Sequence, residues 1–362
     1  MQDQGSIVLE ERKIGFPGYK NFVPYYTNSS WNAAGDAFYF FSVKHGSRIP
    51  TLCIYHVDTD TTEKLLDLTL FNSAEEASYL TTSVILPHRG MLIFPAADKT
   101  IAAADINTGK QEIKLSNNAG DDWKFQVSLC ISPDERYLCC STAPEGQRST
   151  DIRIYDTSAP RWSLVYHKTV DMEADHFQFF PNGDEILFAH EGPTKSIPDR
   201  LNLLNWKTGE TRCLHHHKFD DRGNQIECIG HEHIAGDQVL AVRYPDSQME
   251  FGIILVDPRT GKCELVDTGD YWHAASNKDG TRFVMDTMWW GNSRRRIPNL
   301  VDVTLFDAVN KSRYVLKTFP AEPGNNQIYH VHPHFNGNGD IVLYTVRPPG
   351  ENECYLELLR IR

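Results

Sequence analysis

The sequence predicts an all-β protein, a seven-bladed β-propeller of four-stranded antiparallel blades, and three observations predict it. A strand–turn–strand unit recurs seven times, helical periodicity is nearly absent, and a spare strand at the N-terminus complements a last copy that is one strand short. The copies occupy residues 30–41, 84–94, 129–138, 176–188, 233–242, 273–285 and 332–344. Each has a polar start, a short apolar strand, a turn and a stronger apolar strand, as in His176-Phe-Gln-Phe-Phe-Pro-Asn-Gly-Asp-Glu-Ile-Leu-Phe.

The turn positions Gly35, Gly90, Asp134, Gly183, Gly236, Gly280 and Gly339 are 44 to 59 residues apart, the spacing of four-stranded blades with variable loops. A second hairpin follows each copy. It is plainest in residues 101–109, 201–209 and 253–261, where Asp or Asn and then Gly supply the positive φ that tight hairpins need. Two hairpins make one blade. The segment 6–13 has no partner of its own and residues 355–362 end the last copy, so pairing the two closes the ring and removes exposed edges. One domain, 1–362, is expected.

Forty per cent hydrophobic and 23% charged residues suit an ordinary globular core. A formal net charge of −12 argues against a nucleic-acid partner but leaves an anionic small substrate open, because a few basic residues can invert the field inside a cleft. No apolar run reaches the roughly 18 residues of a membrane span. The eight cysteines sit mostly in strand-like segments, with neither disulfide-framework nor zinc spacing, and are expected as buried free thiols. The start, Met1-Gln-Asp-Gln-Gly-Ser, lacks signal-peptide character. A cytoplasmic protein is expected, or a periplasmic one from which a leader has been removed. Oligomeric state is open.

The histidines are not scattered. Counting seven residues back from Gly183, Gly280 and Gly339 gives His176, His273 and His332, equivalent positions around one rim of the channel. The fifth copy places His231 and His233 at the start of its first strand. The seventh adds His330 and His334, which strand alternation puts on the same side as His332. His190 ends a second strand that returns to that rim. A regular structural histidine per blade would explain an even scatter, but not a run such as Gln327-Ile-Tyr-His-Val-His-Pro-His. Neutral imidazoles with an amide oxygen suit Mn²⁺, Fe²⁺, Ni²⁺ or Zn²⁺.

Residues 327–333, His190-Glu-Gly-Pro, Gly230-His-Glu and His273 with Asp279-Gly280 together resemble the oligogalacturonate lyases, seven-bladed propellers that degrade short pectin oligosaccharides. The resemblance runs from about the third blade to the C-terminus. It implies a Mn²⁺ ion held by His273, Gln327, His330 and His332, a catalytic base at His231 and an assisting Arg200. It also implies cleavage of digalacturonate or its unsaturated analogue by β-elimination. The loop between Arg200 and His231 is longer than the family's, and His233-Ile234 replaces an aromatic pair. The segment Met288-Trp-Trp-Gly-Asn-Ser-Arg-Arg-Arg-Ile is peculiar to this chain.

The residue types suit that reaction. A divalent cation on a uronate carboxylate stabilises charge as the C5 proton leaves, and a histidine with an ordinary pKa of about 6.5 is placed to take that proton. A permanently cationic arginine pairs with carboxylate or enolate oxygens. His176, His190, Arg294, Arg295 and Trp290 are further candidates for substrate contact. Two readings compete: a non-catalytic sugar-binding or scaffold propeller with structural histidines, and a metal-dependent enzyme acting on a different uronate.

Overall fold

The computed structural model describes residues 7–71, 77–96, 100–116, 123–144, 148–193, 196–287, 299–322, 324 and 326–362. Their strands form seven four-stranded antiparallel sheets. Six sheets are continuous in sequence, with first strands Tyr19–Phe22, Val84–Leu86, Trp123–Ile131, Ala174–Phe179, Ile229–Ala235 and Tyr271–Ser276. The seventh takes His334–Phe335, Ile341–Val346 and Tyr355–Ile361 from the C-terminus and Val8–Ile14 from the N-terminus. First strands adjoin one another around the centre. Fourth strands such as Thr61–Asp67 and Ser163–Val170 lie at the rim with mostly exposed or half-buried side chains.

Ring closure follows the sequence expectation. Ile14 pairs with Leu356, and the antiparallel register runs to Val8 opposite Ile361. Lys317 of the sixth blade bonds both Glu11 and Glu357, which ties the closing strand to its neighbour. On the other side Arg12 reaches Tyr55 Oη in the first blade at 3.0 Å.

Seven apolar clusters fill the seven blade interfaces, as a closed ring requires. Strand alternation decides which side chain enters which cluster. Along Ala37–Lys44, Phe38 and Phe40 pack toward the seventh blade while Tyr39 and Phe41 pack toward the second. The fifth blade repeats this, with Val239 and Ala241 facing the fourth and Leu240 and Val242 facing the sixth.

The turn glycines have a steric reason. Gly280 has φ +68°, and a Cβ there would lie 2.8 Å from the Ala235 carbonyl oxygen of the preceding blade. In the third blade the left-handed residue is Glu135, at φ 57°, one position beyond the expected Asp134. Glu135 compensates by accepting hydrogen bonds from the backbone N–H groups of His88 and Arg89.

The last blade departs from expectation. Its first strand is only His334–Phe335, while Gln327–Tyr329 forms a turn of 3₁₀ helix. His332 has φ 41°, and Pro333 has no N–H for a ladder. Alternation therefore fails between His332 and His334, and the two rings part company.

All eight cysteines are free, six of them buried. Among the described residues no helix is long and apolar enough to cross a membrane.

Candidate metal and substrate site at one channel mouth

The first strands of blades four, five and six each carry a bulge at the same place. Pairing shifts between Asp175 and Gln178, between Gly230 and His233, and between Tyr271 and Ala274. The residues passed over are His176 and Phe177, His231 and Glu232, and Trp272 and His273. A bulge bends its strand and re-aims a side chain, and here each re-aims an imidazole toward the axis. His176 and His231 sit at φ 57° and 55°, and His332 at 41°, so three of seven described non-glycine residues with positive φ are rim histidines. That conformation costs of order 1–3 kcal/mol per residue and persists where surrounding structure imposes it.

The bulges assemble a compact cluster. Ligand atoms of His231, His273 and His332 lie within 4.8 Å of one another, and all three residues are buried. The His273 and His332 rings are 4.0 Å apart, and His231 and His273 4.3 Å. His330 stands beside them, its ring 5.4 Å from both His273 and His332. Gln327 Oε1 lies 3.1 Å from His332 Nε2. Four residues expected as ligands and the expected base are thus gathered in one place.

Electrostatically the cluster is a neutral donor set. Burial, and then the neighbouring imidazoles, push His231 and His332 well below the ordinary histidine value, and burial does the same to His273. Burial lowers His330 to about 4. His231 Nδ1 and Nε2, His330 Nδ1 and His332 Nδ1 are buried without a hydrogen-bond partner. Such atoms normally find partners, so this concentration of lone pairs and N–H groups fits a group that the chain does not itself supply. His273 is oriented for it: Asp286 bonds its Nδ1 at 2.6 Å and its backbone N–H at 2.8 Å, leaving Nε2 as the available ligand atom. The donor chemistry fits a divalent transition metal.

Next to the cluster is a charged network. Glu232, fully buried, accepts from His176 Nδ1 at 2.6 Å and from Arg200 Nε at 3.0 Å. Arg200 also donates to Glu191 at 2.7 Å. For His176 burial opposes protonation, but the Glu232 charge and hydrogen bond outweigh it and raise His176 to about 9. For Glu232 burial opposes ionisation, and Arg200 and His176 outweigh it, lowering Glu232 to about 2. His176, Glu191 and Glu232 are close enough to hold a cation, but the Arg200 guanidinium already bridges the two carboxylates.

Tyr25 and Tyr26, on the link between the first two strands of blade one, cross the channel. Tyr26 Oη is 3.1 Å from His176 Nδ1, and its ring lies 4.0 Å from His231. A small cavity of about 130 Å³ beside His176 is lined by Tyr25, Thr81, Thr82, Asp175 and Gln327. Blades one and two therefore line the site.

The other expected residues fare differently. His190 ends its strand as anticipated and bonds Asp199 at 2.8 Å. His334 turns away, its Nε2 3.1 Å from Ser30 Oγ. Trp290, Arg294 and Arg295 lie outside the described residues. Sequence reasoning missed the roles of Glu232, Asp286 and the tyrosine pair. Asp286 had a signal, a carboxylate in the apolar strand Arg282–Thr287. The tyrosines had none, because their link carries no blade periodicity.

Fold and site together define a seven-bladed β-propeller with a histidine cluster at one mouth of its channel. The chain matches no protein-family model and no curated protein. Solved structures do match. An oligogalacturonate lyase in complex with manganese superposes with a TM-score of 0.81 at 16% identity, over 100% of this chain and 95% of that one. An oligogalacturonate lyase from Vibrio parahaemolyticus gives 0.79 at 16% identity, over 98% of each chain. The β-propeller domain of the Trilobed protease from Pyrococcus furiosus gives 0.58 at 13% identity, over 94% of this chain and 95% of that one. The likeness establishes the shared propeller fold.

Proposed function

We propose that the chain, as one propeller domain, is a metal-dependent lyase that cleaves short uronate oligosaccharides, digalacturonate being the first candidate, by β-elimination. The observation that carries this is the buried, neutral cluster of His231, His273 and His332 with His330 and Gln327, set beside the Arg200 network. Two neighbours in fold that match over nearly the whole chain are oligogalacturonate lyases, one of them a manganese complex, which supports the same chemistry.

His273, His330, His332 and Gln327 would hold the cation, Mn²⁺ by the neighbour's example. When bound, it supplies Lewis-acid stabilisation of the charge that develops on a uronate carboxylate. His231, neutral and with both ring nitrogens unengaged, takes the C5 proton. The C5–H electrons form the C4–C5 double bond as the C4–O bond breaks, and the leaving oxygen is protonated from solvent. Arg200 is held rigid by Glu232, and its half-buried partner Glu191 occupies the place that a substrate carboxylate would take. Tyr25 and Tyr26 close the channel behind the substrate and exclude water.

One observation favours a variant assignment. The three mutually closest donors are His231, His273 and His332, whereas His330 Nε2 is engaged by the Gly324 carbonyl at 3.2 Å. In that variant His231 is a ligand. His231→Ala separates the two: a base mutant keeps its metal and loses turnover, and a ligand mutant loses both. A protein that takes up no divalent metal, or one whose His231→Ala form turns over digalacturonate at the parent rate, would overturn the proposal.

A further inference from the structure

Two rim histidines are the same structural device held in opposite states of ionisation. His176 and His231 each take the first place in a bulge, in blades four and five, and each is left-handed, at φ 57° and 55°. Burial, and then the neighbouring imidazoles, push His231 well below the ordinary histidine value. Burial also opposes the charge on His176, but the Glu232 carboxylate outweighs it and raises His176 to about 9. At neutral pH one ring is an imidazole and the other an imidazolium. Two titratable groups of one site whose surroundings drive them apart in this way have the properties of a base and an acid.

The two nitrogens of His176 have different surroundings. Nδ1 is enclosed: it donates to Glu232 at 2.6 Å, Tyr26 Oη lies at 3.1 Å, and a Glu191 oxygen and the Arg200 guanidinium each stand at 3.5 Å. The Asp175 carboxylate holds the backbone N–H at 2.7 Å, and the Tyr25 ring packs 5.4 Å away. Nε2 has no hydrogen-bond partner among the described residues. The side chain is 17% exposed where it lines the cavity of about 130 Å³. Gln327, which would help to hold the cation, lines the same cavity. A charged N–H and the metal end of the site thus open onto one space.

We propose that His176 is the general acid of the elimination, its Nε2–H protonating the oxygen that leaves C4. The assignment rests on the lyase reading and supplies the route by which a solvent proton reaches that oxygen. His231 takes the C5 proton, the C5–H electron pair becomes the C4–C5 double bond, and the C4–O bond breaks with its electrons on oxygen. The oxygen takes the Nε2 proton, leaving a neutral His176 still donating through Nδ1 to Glu232. Loss of a proton from His231 to solvent and gain of one by His176 restore the resting state. A positioned acid of this kind contributes about 10²- to 10⁴-fold to rate.

The test compares two substrates on the full-length chain loaded with Mn²⁺. Digalacturonate releases a sugar hydroxyl, which needs a proton, whereas methyl 4-O-(4-nitrophenyl)-D-galacturonide releases 4-nitrophenolate, which does not. For the parent, kcat/KM on digalacturonate should fall as pH rises through about 9, and the nitrophenyl substrate should show no such fall. At neutral pH His176→Gln should slow digalacturonate at least about 100-fold and the nitrophenyl substrate less than about threefold, with metal content by elemental analysis unchanged. A metal-bearing variant slowed equally on both substrates would overturn the assignment and leave the lyase reading standing. So would a parent whose digalacturonate profile is flat through that range, or whose two profiles fall together. These parent profiles decide the matter even if the variant does not fold. A metal-loaded parent inactive on both substrates would overturn the lyase reading, and this assignment with it.

Discussion

Replacing Glu232 with glutamine removes one negative charge from between two cations without changing side-chain volume. Glu232 is fully buried and bonds Arg200 and His176, and these neighbours lower it from 4.5 to about 2. At about 1.4 kcal/mol for each tenfold, that fall corresponds to about 3 kcal/mol of stabilisation at neutral pH. Breaking a buried ion pair by removing one partner costs about 3–5 kcal/mol, so the two routes agree. His176 answers in the same experiment, because its rise to about 9 depends first on the Glu232 charge opposing burial. Urea unfolding at pH 7 should show Glu232→Gln less stable by about 3 kcal/mol, and NMR titration should show His176 falling below its ordinary 6.5. The parent has two matching limits. The Glu232 contribution is complete above 4.5 and is lost as pH falls toward 2, and that of His176 is complete below 6.5 and is lost as pH rises through about 9. A stability change under about 1 kcal/mol with His176 still titrating near 9 would refute the assignment of Glu232 as the anion that organises this network.

Three further outcomes are expected. Asp286→Asn, which keeps the shape but weakens the partner of His273 Nδ1, should reduce divalent-metal affinity about 10- to 100-fold by isothermal titration while the secondary structure is unchanged. Protons should compete poorly with metal, because burial holds the cluster histidines below 6.5 and His330 at about 4. Bound metal after dialysis should therefore be constant between pH 8 and 6 and fall steeply only near pH 4. Deleting residues 1–14 removes the strand that pairs with Tyr355–Ile361, exposes a β edge and should give an aggregating protein by light scattering.

The fold was legible because every blade repeats the same physical problem. A turn glycine such as Gly280, forced into the left-handed region by the Ala235 carbonyl beside it, recurs at blade spacing and marks the ring. The closing strand was legible from the missing partner of residues 355–362. The histidine rim could be counted back from those glycines in blades four, six and seven, where His176, His273 and His332 each stand seven residues before the glycine, whereas His231 stands five before Gly236 and shares with His176 the first place in its bulge. The seventh blade was not legible beyond its histidines. Period-two alternation assumes a strand, and the left-handed His332 before Pro333 ends that assumption, sending His334 to Ser30. Partners across blades were hidden too. The Arg200 bond to Glu232 spans 32 residues, and the contact of Tyr26 with His176 spans 150, distances at which one sequence carries no pairing signal.

The most direct test is elemental analysis of the purified protein before and after Mn²⁺ loading, joined to an assay of unsaturated uronate formed from digalacturonate. The expected result is one divalent ion per chain, lost together with turnover in His273→Ala and His332→Ala. A parent protein that binds no metal, or that converts digalacturonate equally well after both substitutions, would contradict the assignment of the histidine cluster as the metal centre of a lyase.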